Sequence, residues 1–384
     1  MQSALTVIAA LCALLALAGA AYFALCVWAA GRFRRQTQRV VHSDFAPPVS
    51  VLKSLKGIDP HMYAAFRSHC LLDYGEYELL LGVNDSNEPA LELVARLKEE
   101  FPDRTIRVLE CPLALGPNGK ISTLAQMLPE AKYEHILIND SDIVAPPDYL
   151  RRVMRWFADE RVGMVTSLYR GLAGKTIPSR MEALGINTDF MGGVLVAREM
   201  EGGVKFALGA TMAIPKRVLR EIGGLEALVD YLGDDYELGA RTAAAGYKVE
   251  LADVVVETAV PDYNFGQFWS HQLRWARNNK HLRTAQYFGL IVTFGLAGAI
   301  LSVIAAPRAW WTWTAFAIVA VTRLAAVVTI GRGVLNDPTV LRDLWLVPAR
   351  DFAALAVWVA SFGGDEVEWR GTRFRVKDGK LERL

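Results

Sequence analysis

The sequence predicts an α/β domain with a Rossmann-like, mostly parallel sheet, carried between transmembrane helices at both ends of the chain. Three observations lead there. Across residues 45–286 short apolar runs alternate with amphipathic stretches, the rhythm of strands alternating with helices. Before and after that region lie apolar runs near the ~20 residues a helix needs to cross a bilayer. Hydrophobic residues make up 52% of the 384, which is high for a purely soluble protein. Basic and acidic residues number 42 and 41, so the net charge of +1 offers no electrostatic footprint for nucleic acid. The four cysteines form no metal or redox spacing, with Cys12 and Cys26 inside an apolar run and Cys70 and Cys111 isolated.

Residues 4–30 carry no charge and read as a spanning helix. The run is too long for a signal peptide and lacks a basic region before it. Arg32, Arg34, Arg35 and Arg39 follow it and orient it, because positive flanks stay in the cytoplasm. What comes next is therefore expected in the cytosol.

After Pro47-Pro48, residues 49–55 form the first expected strand, and Asp59-Pro60 opens a helix. The second strand, 77–83, delivers Asn84-Asp85 to the sheet edge; an amphipathic helix over 89–100 and a third strand over 105–109 follow. Gly116-Pro117-Asn118-Gly119-Lys120 then opens a helix, as a phosphate site at its N-terminus or as a plain turn. His135-Ile-Leu-Ile-Asn-Asp-Ser-Asp142 is a buried strand that runs into two carboxylates, Asp140 and Asp142. Ligands of open parallel sheets bind beyond the carboxyl ends of the strands. Alternate carboxylates there suit Mg²⁺ or Mn²⁺ with a nucleotide diphosphate, although Asp-Ser-Asp serves equally as a turn or helix cap.

Further strands are expected over 162–167, 208–214 and 248–256, with a broken apolar stretch over 177–206 suited to a membrane interface. Asp234 or Asp235 begins a helix ending near Gly246, and 265–283 is a helix rich in Trp, His and Arg. Past Tyr287, residues 288–306 and 310–330 form a membrane hairpin around Pro307-Arg308, with Trp310, Trp311 and Trp313 at its outer turn. Arg323 lies inside the second run and either snorkels to the cytoplasmic end or faces an acceptor pocket. Residues 344–362 are broken by Pro348, Arg350 and Asp351 and flanked by basic residues on both sides, which favours a re-entrant or surface helix with a cytosolic tail. The expected parts are a spanning helix (1–31), the α/β domain (45–286), the hairpin (287–331), and a re-entrant or interfacial helix with a basic tail (332–384).

Several motifs, taken together, resemble the ceramide glucosyltransferase family, family 21 of the inverting membrane-bound glycosyltransferases with the GT-A fold. They are Pro47 through Lys53, Asp85, Asn118 with Lys120, Asp140-Ser141, Asp234-Asp235-Tyr236, the pair Arg274-Trp275 and the run Trp369 through Arg375. The bacterial hopanoid-biosynthesis glycosyltransferases are similarly close. One departure is His271, because the family motif ending in Arg-Trp usually begins with Gln or Arg.

The resemblance implies transfer of a hexose, glucose or N-acetylglucosamine, from a UDP-sugar to a lipid hydroxyl such as ceramide or a hopanoid, at a multi-pass protein of the cytoplasmic membrane. Asp85 would hold the uracil or ribose, Asp140 and Asp142 an Mn²⁺ or Mg²⁺ ion, and Lys53, Asn118, Lys120, Asp234, His271 and Gln272 other parts of the substrates. Asp235 would be the general base, Arg274 a grip on the diphosphate and Trp275 a wall of the acceptor site. Two other readings stand beside this one: a processive polysaccharide synthase, and a catalytically inactive sugar-nucleotide-binding membrane scaffold. In isolation Asp235 is also a helix cap, and Arg274-Trp275 an amphipathic face.

Overall fold

The computed structural model describes residues 2–37, 43–59, 61–369 and 371–384; Arg39, Pro60 and Arg370 lie outside the described residues. In chain order, helix α1 (Gln2–Thr37) precedes β1 (Val49–Ser54), α2 (Met62–Cys70), β2 (Tyr77–Val83), α3 (Ala90–Glu100) and β3 (Ile106–Glu110). Then come α4 (Gly119–Met127), β4 (His135–Ile138), α5 (Tyr149–Met154) and β5 (Val162–Leu172). Helices α6 (Ile177–Leu184) and α7 (Met191–Met200) follow, joined by a π-helical turn, Gly185–Phe190. After β6 (Met212–Pro215), α8 (Lys216–Glu221), α9 (Asp234–Ala244) and β7 (Lys248–Ala259), the chain becomes helical again. These helices are α10 (Phe265–Leu282), α11 (Thr284–Gly289), α12 (Gly295–Ala305), α13 (Trp310–Val327) and α14 (Val347–Ser361), before the short strands β8 (Glu366–Trp369), β9 (Thr372–Lys377) and β10 (Lys380–Arg383).

The chain forms two compact units: Met1–Arg39, Ala173–Glu199 and Asp262–Arg373 in one, Val40–Leu172, Met200–Pro261 and Phe374–Leu384 in the other. The α/β stretch 45–286 is thus divided, because α6, most of α7 and α10 belong with the apolar helices.

The second unit is built on a seven-stranded sheet in the order β3-β2-β1-β4-β6-β5-β7. Strand β1 is parallel to both β2 and β4, whereas β6 runs antiparallel between β4 and β5. The chain winds outward from β1 to β3 and returns on the other side at β4, which places the switch point of the sheet beside the ends of β1 and β4. β1 and β4 are buried along nearly their whole length because both of their faces are covered, the polar Ser50 and Lys53 of β1 included. Helix α3 packs through Ala90, Val94 and Leu97, a single stripe at helical spacing. The strand expected over 208–214 is shorter and antiparallel, for Leu208 and Thr211 bracket a tight turn at Gly209-Ala210 and pairing with β4 covers Met212 to Pro215. The C-terminal tail is ordered too: β9 and β10 pair with Lys377 opposite Lys380, and Leu381 N–H donates to Asp230 O at 2.7 Å.

The first unit is helical. Helix α1 crosses α12 at Gly19 on Gly295, where a Cβ on Gly19 would stand 2.5 Å from the Gly295 Cα, and Ser302 Oγ donates to Ala9 O at 2.8 Å. Among the described residues four stretches are long and apolar enough to cross a membrane: Ser3–Thr37, Thr284–Ala305, Trp310–Val334 and Leu344–Ser361. The last therefore meets the same length and apolarity criteria as the others, despite Pro348, Arg350 and Asp351. Pro348 sits in the first turn of α14, where it removes no helical hydrogen bond, and Asp351 is buried against Arg323. Arg323 itself follows neither expectation: it is 2% exposed and bonded to Asp351 at 2.7 Å and Asp189 at 2.6 Å, a buried charge cluster. Within the stretch 177–206, residues 177–200 form a continuous helical run of α6, the π-turn and α7.

Candidate active site

In the sheet unit, β4 ends at Ile138, and Asn139 hands the chain to Asp140-Ser141-Asp142. Lys53, at the end of the neighbouring β1, is fully buried and donates from Nζ to the Asp140 carbonyl at 2.9 Å, which anchors the turn from beneath. Burial pushes this ammonium down to about 7 against the pull of Asp142 and Asp140. The Asp140 carboxylate stays 43% exposed and receives Lys120 Nζ at 2.8 Å. Asp142 turns inward, where Thr258 on β7 donates to its Oδ2. Burial first, and then the Asp140 charge, raise the Asp142 carboxyl above its ordinary range. Ser141 Oγ donates to Asp59 Oδ2 at 2.8 Å and ties the same turn to the loop after β1.

Helix α4 brings the second group. Asn118 caps it by accepting from Ile121 N–H at 3.1 Å, and its Nδ2 reaches Tyr231 O at 2.7 Å and Asp234 Oδ1 at 3.3 Å. Asn118 is fully buried, so its polar atoms join α4 to the start of α9 and present no free edge to a substrate. Lys120 lies between Asp140 and Asp234, 3.1 Å from Asp234 Oδ2. Burial opposes its charge, but Asp140 and Asp234 outweigh that and hold it firmly protonated.

Asp235, in the first turn of α9, accepts from Gly209 N–H at 2.9 Å and Tyr236 N–H at 2.8 Å while keeping a part-exposed edge. Burial, then the adjacent Asp234 charge, push its carboxyl up to about 6, with Lys120 pulling the other way. Gly209 draws these groups together: a Cβ there would lie 3.3 Å from Asp140 Oδ2, 3.4 Å from Asp235 Oδ2 and 3.7 Å from Lys120 Nζ. Such a point, flanked by a charged carboxylate on one side and a raised one on the other, can host a proton transfer beside a bound cation or phosphate.

For a divalent cation the donor chemistry fits. Asp140 and Asp142 are hard oxygen donors, and Asp142 is destabilised by the charge a cation would offset. Among the described residues no group of three or more His, Cys, Asp or Glu side chains could hold a metal ion, and Asp140 with Asp142 is a pair of carboxylates. Mg²⁺ and Mn²⁺ are commonly held that way, with phosphate oxygens completing the shell.

Lys53, Asn118, Lys120, Asp140, Asp142, Asp234 and Asp235 thus gather in the sheet unit. Asp85 is exposed after β2 and accepts from Asn87 N–H at 2.7 Å within its own turn. His271, Gln272, Arg274 and Trp275 ride on α10 in the helical unit. There Arg274 lines a cavity of about 200 Å³ with Arg277, Glu366 and Arg373, and Trp275 packs between His271 at 5.3 Å and Phe190 at 5.7 Å. Sequence reasoning missed the part that Gly209, Thr258 and Asp59 play around the acidic turn. A glycine ahead of a strand signals a close approach, which was the available clue for Gly209; Thr258 and Asp59 carried none.

A mostly parallel sheet with a switch point beside β1 and β4 and acids gathered at its carboxyl edge defines a glycosyltransferase of the GT-A class. The chain belongs to glycosyl transferase family 21, whose family model matches residues 10–382. It is similar to ceramide glucosyltransferase 1 of Caenorhabditis elegans, 22% identical over 349 residues, which span 87% of this chain and 72% of that protein. It is also similar to a poly-beta-1,6-N-acetyl-D-glucosamine synthase of Staphylococcus aureus, 19% identical over 58% of this chain and 52% of that one. Among solved structures, a mannosyltransferase from Pyrobaculum calidifontis, in complex with GDP-Man and Mn2+, shares the fold with a TM-score of 0.52 at 21% identity, covering 92% of this chain and 99% of its own.

Proposed function

We propose that this glycosyltransferase moves a hexose, glucose or N-acetylglucosamine, from a UDP-sugar to a lipid hydroxyl such as that of ceramide or a hopanoid, with inversion at the anomeric carbon. The observation that carries the reading is Asp235, a carboxyl raised to about 6 that shares the space at Gly209 with Asp140. A lipid hydroxyl does not ionise near neutral pH, so a base must take its proton as the oxygen attacks. Asp235 accepts that proton while the acceptor oxygen bonds to the anomeric carbon, and the bond from that carbon to the diphosphate oxygen breaks on the opposite face. The electron pair leaves with UDP, and an α-linked donor becomes a β-glycolipid.

Asp140 and Asp142 would hold Mn²⁺ or Mg²⁺, which when bound neutralises charge on the departing diphosphate. Lys120 adds a fixed positive charge beside Asp140, and Lys53 keeps the acidic turn in place. Asp85 serves the nucleoside, Arg274 the diphosphate and Trp275 the acceptor. The four stretches among the described residues that are apolar enough to cross a membrane support a multi-pass protein that draws its acceptor from the bilayer. The arginines after α1 and the basic tail favour a cytosolic catalytic unit in the cytoplasmic membrane. A reporter fused after Leu384 that is active only outside the cytoplasm contradicts a re-entrant α14. The function is tested by incubating membranes that hold the protein with labelled UDP-sugars and candidate lipids and weighing the product. A β-linked glycolipid supports the reading, whereas a polymer made without added lipid favours a processive synthase.

A further inference from the structure

The helical unit buries a carboxylate that the reaction above does not use. Glu182 on α6 is 1% exposed, and two consecutive residues of α10 occupy its oxygens. Oε1 faces His271 Nδ1 at 3.1 Å, and Oε2 accepts from Gln272 Nε2 at 2.8 Å. An apolar side chain would pack α6 on α10 without the desolvation penalty of several kcal/mol that a buried carboxylate carries. What the carboxylate adds is direction. Apolar contact is non-directional, so a helix held by it alone can roll with little loss. Residues 271 and 272 project about 100° apart around α10, and a single carboxylate that bonds both fixes the helix against rolling either way.

Two more contacts brace the same joint. Gln272 Oε1 accepts from Arg350 Nη2 at 3.2 Å. The Arg350 guanidinium rests on Gly185, where a Cβ would lie 2.4 Å from its Nε. Four residues along α10 from His271, Trp275 lies on the same helix face and packs on Phe190, the last residue of the π-turn that follows α6. The α6 segment therefore grips α10 on both sides of Arg274, with a carboxylate before it and a ring after it.

We propose that Glu182 is a positioning residue that sets the roll of α10 and with it the direction of Arg274 and Trp275. The proposal rests on the reading that this pair serves a sugar nucleotide and a lipid acceptor. The test compares Glu182→Gln, Gln272→Glu and the double swap in the full-length protein in membranes, with a UDP-sugar and a lipid acceptor. Glu182→Gln keeps the shape but sets amide against amide, so kcat/KM for the acceptor should fall roughly tenfold to a hundredfold, as for a misaligned substrate. UDP affinity and acceptor-free hydrolysis of the UDP-sugar should fall with it, because Arg274, placed on the diphosphate, turns with the same helix, and the double swap should restore both. Gln272→Glu sets carboxylate against carboxylate and should fall likewise. The double swap restores one amide and one carboxylate across the joint and should recover transfer. Wild-type transfer by Glu182→Gln overturns the proposal, as does an equal loss of transfer and hydrolysis that the swap does not rescue. A wild-type protein that glycosylates no lipid overturns the underlying reading instead.

Discussion

The two units treat buried charge differently. At the sheet edge four carboxylates, Asp140, Asp142, Asp234 and Asp235, meet two ammonium groups, Lys53 and Lys120. Among the apolar helices two carboxylates, Asp189 and Asp351, meet two guanidinium groups, Arg323 and, 3.8 Å from Asp189, Arg350, and Glu182 is bonded at both oxygens. Matched charge holds helices in register. Unmatched charge is capacity for chemistry: it leaves room for a cation at Asp140 and Asp142, and it holds a proton affinity near neutrality at Asp235.

The largest break of this contrast is removal of the cation. Excess chelator should abolish transfer, and added Mn²⁺ or Mg²⁺ should restore it; full activity in chelator would take the metal role away from Asp140 and Asp142. Next is Asp235→Asn, which keeps size and capping while removing the base. Turnover should fall roughly 10²–10⁴-fold with UDP binding intact by calorimetry, and no apolar replacement nearby should rescue it. A near wild-type rate, with Asp234→Asn inactive, would move the base to the neighbour. In the helical unit the outcome differs in kind. Arg323→Met strands Asp351 and Asp189 and should lower unfolding stability by about 3–5 kcal/mol, whereas adding Asp351→Leu should recover much of it, since an apolar pair replaces a buried ion pair well. Chemical denaturation in detergent reads both variants, and a double variant weaker than the single one would show that the pair does more than hold helices.

The sheet edge was legible in the sequence because each acid follows an apolar strand or opens a helix, a local pattern visible within about eight residues. The apolar helices were legible by length alone. Pairings between distant segments were not. Nothing near Arg323 announces Asp189, and Glu182 reads as one charge interrupting an apolar run until α10 is set against it. The antiparallel β6 escaped for the same reason, since strand direction depends on the turn at Gly209-Ala210 and not on the strand's composition. Asn118 illustrates the same limit: its place at the opening of a helix was legible, but not that its atoms serve the cap and the joint to Asp234.

The central claim, that Asp235 is a base tuned by its charged neighbours, is tested most directly by the pH dependence of kcat/KM in three proteins. The base must be ionised, and its carboxyl is raised to about 6, so activity should climb roughly tenfold per pH unit up to that value and level off above it. Asp234→Asn removes a charge that raises this carboxyl, so the residual activity should keep its acid limb at lower pH. Lys120→Met removes a charge that lowers it, so the limb should move higher. Limbs displaced in opposite directions are the predicted result. A single limb near the ordinary carboxylate value of about 4, unmoved in all three proteins, would contradict the account.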